Sequence, residues 1–318
     1  MTLDSAFLLA LEAIALVREK EPLSRHTTIG IGGSADAYVA LDTQDQLTSV
    51  LSLAHDAAVP VFILGSGSNI VVGDRGMRGV VVENNAHALS DPQLWGSAQG
   101  SNEQRYLFRA EAGCSFAAIS RQLAFAGYAG LEWACGIPGT VGGAVVYNAG
   151  AYGGCLADVL QRVAVWDPSD GVIEYAAEDL GMVYRGSAFT RGVMAGRAVL
   201  WAEFALWQGD AAELRARVAD FDSRRLKAQP RGRNAGSFFK NPPDHPAWRL
   251  LDGVGLRGHR IGGAEFSAKH CNFLINTGDA SAADVGALKR LAQQRVRDEY
   301  GIELQDEVAL VGEGFGDD

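Results

Sequence analysis

Apolar residues recur along this chain with two periods, about 3.6 and about 2, and the changes between them mark the expected elements. Residues 3–18 set Leu3, Phe7, Leu11 and Ile14 at helical spacing, with Pro22 as the stop, and predict a packing helix. Residues 27–35, Thr-Thr-Ile-Gly-Ile-Gly-Gly-Ser-Ala, read as a short strand entering a glycine turn. An apolar strand at 59–64 runs straight into Gly65-Ser66-Gly67-Ser68-Asn69, and strands at 70–72 and 80–82 flank the turn Gly73-Asp74-Arg75-Gly76. The polar stretch 84–104, with Asp91-Pro92 and Gly100-Ser101-Asn102, reads as a surface excursion separating two structural units. After a strand at 106–111, Ser115 can cap a helix whose Phe116, Ile119 and Leu123 are apolar before Gly127 ends it.

Further along, strands at 163–166 and 172–175 flank Asp167-Pro168-Ser169-Asp170-Gly171, a hairpin signal, and 198–206 is another strand. A helix is expected at 211–227 and a strand at 272–276. Ser281, with Asp284 three residues on, starts an amphipathic helix carrying Val285, Leu288, Leu291 and Val296 and closed by Gly301. A last strand at 302–311 puts Ile302, Leu304, Val308 and Leu310 on one face and Glu307 on the other. Taken alone, Glu307 reads as a solvated carboxylate before a catalytic one.

Composition adds limits. The 318 residues suit two or three domains, and 47% apolar with 21% charged residues suffices for a buried core. With 28 basic and 38 acidic side chains the net charge is −10, which argues against nucleic acid or a membrane surface as partner, since both need a basic field. Cys114, Cys135, Cys155 and Cys271 form no C-x-x-C pair, so neither a metal site nor a disulfide framework is indicated. Asp4 and Glu12 interrupt the first apolar segment with no basic residue before Arg18, which speaks against a signal peptide, and no apolar run nears the roughly 18 residues of a membrane span. A reduced, cytoplasmic setting is expected, with no obligate protein partner.

Residues 135–153 hold six glycines, one proline and no charged residue. Glycine at this density lets another surface approach the main chain, so either something flat or anionic lies against it or it is a glycine-rich turn between strands. The loop Gly65, Ser66, Gly67, Ser68, Asn69 lacks the third glycine of a dinucleotide fingerprint, having Ile70 there, and no amphipathic helix follows it. Strand, loop and strand with bare amides and two hydroxyls can form an anion nest, or the loop is a tight turn. The chain contains no G-K-[ST], no H-E-x-x-H and no G-x-S-x-G, which removes common phosphate-loop, zinc-protease and hydrolase readings. Residues 224–241 carry Arg224, Arg225, Lys227, Arg231, Arg233 and Lys240 and no acid. Half of that charge can complement the end of a helix, but Arg231, Arg233 and Lys240 lie beyond Pro230, and a phosphate-bearing substrate would account for them.

Five segments together resemble the UDP-N-acetylenolpyruvoylglucosamine reductase family of bacterial cell-wall synthesis. They are 61–72 with GSGSN, 136–154 (GIPGTVGGAVVYNAGAYGG), Tyr184-Arg185-x-Ser187-x-Phe189, 234–242 (NAGSFFKNP) and 301–308 with Glu307. Order and spacing cover nearly the whole chain. Ile29 and Gly30 stand where many members carry an aromatic residue and an arginine, and 198–211 leaves no room for the tyrosine-bearing insertion of the longer subclass, so the chain looks like the shorter one.

The resemblance implies an α+β fold with a two-subdomain FAD-binding unit of the vanillyl-alcohol-oxidase type, plus a C-terminal α+β substrate domain. The expected division is 1–78, joined by a last strand from 302–318, then 79–206, then 207–301. Implied cofactors are non-covalent FAD, with NADPH as hydride donor, and the implied partner is a small nucleotide sugar. The implied reaction is reduction of the enolpyruvyl ether of UDP-N-acetylglucosamine to UDP-N-acetylmuramate. Gly65, Ser66, Gly67, Ser68, Asn69, Gly139, Thr140, Gly142 and Gly143 would lie along the FAD diphosphate, with Asn148 and Gly150 nearer the flavin.

Hydride addition at C3 builds enolate charge that a cation must stabilise, a role for Arg185, and C2 must then be protonated, a role for Ser237. Glu307 would hold or polarise a donor near the same enolate. Arg231, Arg233, Lys240 and Asn241 would bind substrate phosphate or carboxylate. Two rivals stand beside this reading: an oxidase of the same flavin fold, which would not need the basic segment around Ser237, and a non-catalytic nucleotide-sugar binder, which would not need the glycine loops.

Overall fold

The computed structural model describes residues 3–97 and 104–316. Three larger sheets, each with its own core, and two two-stranded ones form among the described residues. In the first, the strands run in the order Arg18–Glu19, Ala35–Leu41, Met77–Asn84, Val61–Leu64, and the last three are mutually parallel. Parallel neighbours need a crossover, and the helix Gln44–Asp56 supplies one, started by Thr43, whose hydroxyl accepts the Gln46 N–H. Its Leu47, Val50, Leu51 and Ala54 pack on Val39, Leu41, Val80 and Val82.

The second sheet is antiparallel and orders Gly171–Ala176, Leu160–Asp167, Ala198–Gln208, Gln104–Glu111 and Gln93–Ser97, with Tyr128–Ala129 pairing the end of Ala198–Gln208. The helix Phe116–Phe125, capped by Ser115, contributes Phe116, Ile119 and Leu123 to the same core as Val141, Ala144 and Val145 of the helix Val141–Tyr147. The third sheet orders Arg233–Ser237, Phe273–Asn276, Ala264–Phe266 and Arg260–Ile261. The helix Ala282–Tyr300 packs on it through Val285, Leu288, Ala292 and Val296, with the expected Ser281/Asp284 box at one end and Gly301 at φ 68° at the other. No helix among the described residues is long and apolar enough to cross a membrane.

Several expected elements differ. The first helix covers only Ser5–Glu12, and the stop is not Pro22: Arg18 and Glu19 leave the helical path to pair with Tyr38 and Ala37. Residues 27–34 form no strand. Ile29 and Ile31 are instead buried in the core of the third sheet, and Asn276 Nδ2 donates to Ile29 O at 2.9 Å, so this segment straps the first unit to the last. The excursion at 84–104 contains the strand Gln93–Ser97, because Gln104–Glu111 offers it a free edge; Gly100, Ser101 and Asn102 lie outside the described residues. Met77–Asn84 belongs wholly to the first sheet, so a unit boundary drawn at 78 cuts through a strand. The final strand is only Ala309–Val311, parallel to Ile70–Val72. The stretch before it is held by single contacts, Glu307 N–H donating to Phe238 O at 2.9 Å, and carries no ladder of its own.

The glycine-rich run contains the helix Val141–Tyr147, which its composition hides. Thr140 starts it by accepting the Gly143 N–H at 3.4 Å. Gly142 lets the helix back onto a strand end: a Cβ there would stand 3.1 Å from Ala112 Cβ, and the Gly142 N–H donates to Ala112 O at 2.8 Å. The packing, not the local propensity, makes this a helix.

Candidate active site

A cavity of about 630 Å³ opens where the three units meet. One wall is the loop after Val61–Leu64, and Gly65, Ser66, Gly67, Ser68 and Asn69 all line it; the facing wall holds Gly139, Thr140, Gly142, Gly143 and Gly150. The walls are tied together, with Ser68 Oγ donating to Pro138 O at 3.1 Å. Glycine is required here on two counts. Gly67 has φ 60°, and a Cβ on it would lie 2.0 Å from His26 O; Gly139 has φ 136°. With small side chains only, the two loops leave main chain open along the cavity, the surface a dinucleotide diphosphate requires, although the Gly142 and Gly143 N–H groups are already bonded to Ala112 O and Thr140 Oγ1. The residues present therefore fit FAD.

Arg185, Ser237 and Glu307 line the same cavity: Arg185 comes from the second unit, Ser237 ends a strand of the third, and Glu307 is tied by its backbone to Phe238 and Asn69. Arg185 is in left-handed backbone (φ 52°), which a non-glycine residue adopts at a cost of order 1–3 kcal/mol. That conformation carries its guanidinium inward, where Nη2 donates to Gly150 O at 2.8 Å and Nε lies 2.6 Å from Glu307 Oε1. The latter is an ion-pair contact without hydrogen-bond alignment. Burial pushes the Glu307 carboxyl above the usual carboxylate range, against the opposing pull of Arg185 and then Lys240. Asn69 Nδ2 donates to Glu307 O at 3.1 Å, so the glycine loop holds the segment that presents this carboxylate. Ser237 ends the strand Arg233–Ser237, in register with Phe273, beyond a bulge that includes Gly236 at φ 86°.

Other expected site residues have different positions. Asn148 does not line the cavity: it is the left-handed cap of Val141–Tyr147, and its amide is used by Val183 O at 2.9 Å and Ala157 N at 3.0 Å. Asn241 Oδ1 accepts the Ala247 N–H at 2.9 Å and so starts the helix Ala247–Gly253. Arg231 lines a second cavity of about 290 Å³ that shares Ser68, Pro138, Arg225, Gln229 and Gly236 with the first. Arg233 lines neither; it lies over Gly30, where a Cβ would come within 3.1 Å of Arg233 Cδ. This accounts for the unusual pair at 29 and 30: Ile29 is a core residue and Gly30 makes space for Arg233.

Three lining residues escaped the sequence reading. Arg225 borders both cavities, and burial lowers its guanidinium from the ordinary arginine value. A signal existed, since 214, 218, 221 and 225 share one helical stripe and the first three are apolar. Tyr152, at φ 55°, stacks on Phe221 with ring centroids 4.6 Å apart. His270 lines the Ser237 end with Nδ1 buried and unpartnered, and desolvation lowers its pKa. Nothing in the sequence distinguishes the last two.

Comparison with known proteins agrees with this geometry. Residues 35–176 match an FAD binding domain, and residues 228–311 match the C-terminal domain of UDP-N-acetylenolpyruvoylglucosamine reductase. The UDP-N-acetylenolpyruvoylglucosamine reductase of Synechococcus sp. (strain RCC307) is 40% identical over 93% of this chain and 94% of its own length. That of Chloroflexus aurantiacus is 39% identical over 92% and 96%. Among solved structures, UDP-N-acetylenolpyruvylglucosamine reductase (MurB) from Thermus caldophilus superposes with a TM-score of 0.74 at 33% identity, covering 93% of this chain and 99% of that one.

Proposed function

The chain belongs to the UDP-N-acetylenolpyruvoylglucosamine reductase family, and on that premise we propose that it reduces UDP-N-acetylenolpyruvoylglucosamine to UDP-N-acetylmuramate in peptidoglycan precursor synthesis, with FAD as mediator and NADPH as hydride source. The observation that carries this reading is that Arg185, Glu307 and Ser237 line one cavity together with the two glycine-rich loops, with Arg185 Nε 2.6 Å from Glu307 Oε1. When bound, FAD supplies the redox chemistry, taking a hydride from NADPH and passing it to C3 of the enolpyruvyl ether.

The chain's own residues do the rest. Gly65 to Asn69 in one wall bind the diphosphate through backbone N–H groups, and Gly139, Thr140, Gly142 and Gly143 in the other, with little side-chain bulk, let it approach the main chain closely. Hydride arrival at C3 leaves an electron pair at C2, delocalised into the adjoining carboxylate. Arg185 stabilises that charge, and Glu307 holds the guanidinium at the site before substrate arrives, so that little reorganisation accompanies the reaction. Ser237 delivers the proton to C2 and completes the reduction of the double bond. Lys240, whose charge reaches Glu307, tunes the same end. Arg225, which borders both cavities, and Arg231, which lines the second, suit the substrate's own phosphates. Such an enzyme works on a small nucleotide sugar in the cytoplasm and needs no nucleic acid, membrane or obligate protein partner.

The test is to follow flavin absorbance without oxygen. NADPH should bleach it, and the enolpyruvyl substrate should restore it with one equivalent of the saturated product. Bleaching that only oxygen or an alcohol oxidation cycle reverses would point to a different flavin enzyme.

A further inference from the structure

We propose that His26 is a positioning residue that fixes the glycine loop 65–69 through an imidazole held between two carboxylates, an inference that rests on the reading of that loop as part of the FAD site. Nδ1 of His26 lies 3.0 Å from Glu83 Oε2, and Nε2 lies 3.0 Å from Glu21 Oε1. The side chains are largely withdrawn from solvent, at 14% exposure for His26 and 13% for Glu21. A carboxylate only accepts, and a neutral imidazole has one N–H, so making both bonds requires a ring that carries both protons. Glu21 is held below the usual carboxylate range, chiefly by its bond to His26, as expected of an ionised partner. The same Glu83 oxygen also takes the Tyr38 hydroxyl, and burial, then Glu83, pushes that phenol up. The other groups facing this cluster are Arg18, with Nη1 3.9 Å from Glu21 Oε1, and Arg25, whose charge acts on Glu21.

The connection to the loop is direct at both of its ends. Glu83 pairs in register with Leu64, the residue before Gly65, so one side of the imidazole anchors the loop's root. At the tip, His26 O lies where a Cβ on Gly67 would be, and two residues on, the Thr28 N–H donates to Gly67 O at 3.0 Å. Thr28 Oγ1 then donates to Asn234 O at 2.7 Å, within the strand that ends in Ser237. One imidazole thereby sets the glycine loop against the strand that ends in Ser237. Neither His26 nor its two carboxylates line the cavity, so the effect reaches the cofactor only through the loop.

The experiment titrates flavin-free protein with FAD by fluorescence, with the melting temperature of each variant recorded first. His26→Gln should raise the FAD Kd about tenfold or more, the scale of a lost charge-assisted hydrogen bond. The glutamine amide can give an N–H to Glu83 but turns its oxygen to Glu21. Adding Glu21→Gln returns an N–H to that oxygen, so the double variant should bind FAD more tightly than His26→Gln alone, although Glu21→Gln by itself weakens binding severalfold. A merely space-filling histidine predicts that the two losses add. Wild-type affinity in folded His26→Gln, or additive losses in the pair, overturns the proposal. Should His26→Gln not fold, Glu21→Gln decides alone: an unchanged Kd overturns it. A wild-type protein that takes up no FAD overturns the flavin reading itself and this inference with it.

Discussion

Arg185 and Glu307, from units far apart in sequence, bring Nε and Oε1 within 2.6 Å at the end of a shared cavity. Neither side chain is positioned by its own neighbours alone: Arg185 also donates to Gly150 O, and Glu307 is fixed through its backbone to Asn69 and Phe238. If this arrangement exists to stabilise charge in the transition state, Arg185→Ala should lower kcat by about 10²- to 10³-fold while leaving the FAD content intact. A change confined to KM in steady-state kinetics would move Arg185 into ground-state binding.

The burial of Glu307 gives a pH dependence of stability with a definite sign. Its folded value is raised, so its favourable contribution is complete in acid and is lost as pH rises through that value. Relative to Glu307→Gln, which does not titrate, the wild type should lose stability in chemical denaturation as pH rises from the ordinary glutamate pKa through the raised folded value. A gap between the two proteins that stays constant would mean that Arg185 and Lys240 balance burial, and a wild type that gains stability as pH rises would mean that they outweigh it.

Ser237 can be tested through the two half-reactions. Bleaching by NADPH requires no proton on a substrate carbon, so Ser237→Ala should bleach at a near-normal rate. Reoxidation by the enolpyruvyl substrate should slow by at least about 10²-fold, the low end for positioned acid catalysis, and Ser237→Cys should recover part of it. Equal slowing of both halves would assign the serine to the geometry of its strand instead.

Substitutions at the two basic positions beside the site should separate binding from chemistry. Lys240→Ala and Arg225→Ala should each raise KM for the nucleotide sugar, with the smaller change in kcat, because their charge meets ground-state anions. A fall in kcat at constant KM would place either cation at the reacting atoms.

Gly67→Ala should abolish FAD binding, since the new Cβ would lie 2.0 Å from His26 O in backbone at φ 60°. Gly255→Ala, outside both cavities, is the control for backbone strain alone: φ is 72° but nothing lies within 4 Å of the added carbon. Retained flavin affinity in Gly67→Ala would show that the strap 26–28 yields easily.

Flavin should be released entirely on acid precipitation. Neither glycine loop contains a histidine, and Cys135, fully buried with Sγ directed at Val218 O, does not reach the cavity. Colour that stays with the pellet would point first to His270, which does line it.

Much of this protein follows from local sequence. Caps such as Ser115 and the Ser281/Asp284 box act over three or four residues, and the apolar runs at 163–166 and 198–206 are properties of single strands, so these elements are readable without a fold. Glycine density at 65–69 and 135–153, and the acid-free run after Arg224, likewise point to an anionic ligand from composition alone. Tertiary structure decided what depends on distant partners. Val141–Tyr147 is helical because Ala112 admits Gly142. Residues 27–31 forgo a strand because the third core buries Ile29 and Ile31. Asn148 and Asn241, polar residues in glycine-rich or basic surroundings, are consumed by backbone groups that only the fold brings near. Glu307 changed most: as one residue on the polar face of a strand it reads as solvated, and the fold buries it, which raises its pKa against the opposing pull of Arg185 and Lys240. Periodicity reports which face a side chain occupies, whereas charge state depends on what lies opposite that face, and the opposite face belongs to another part of the chain.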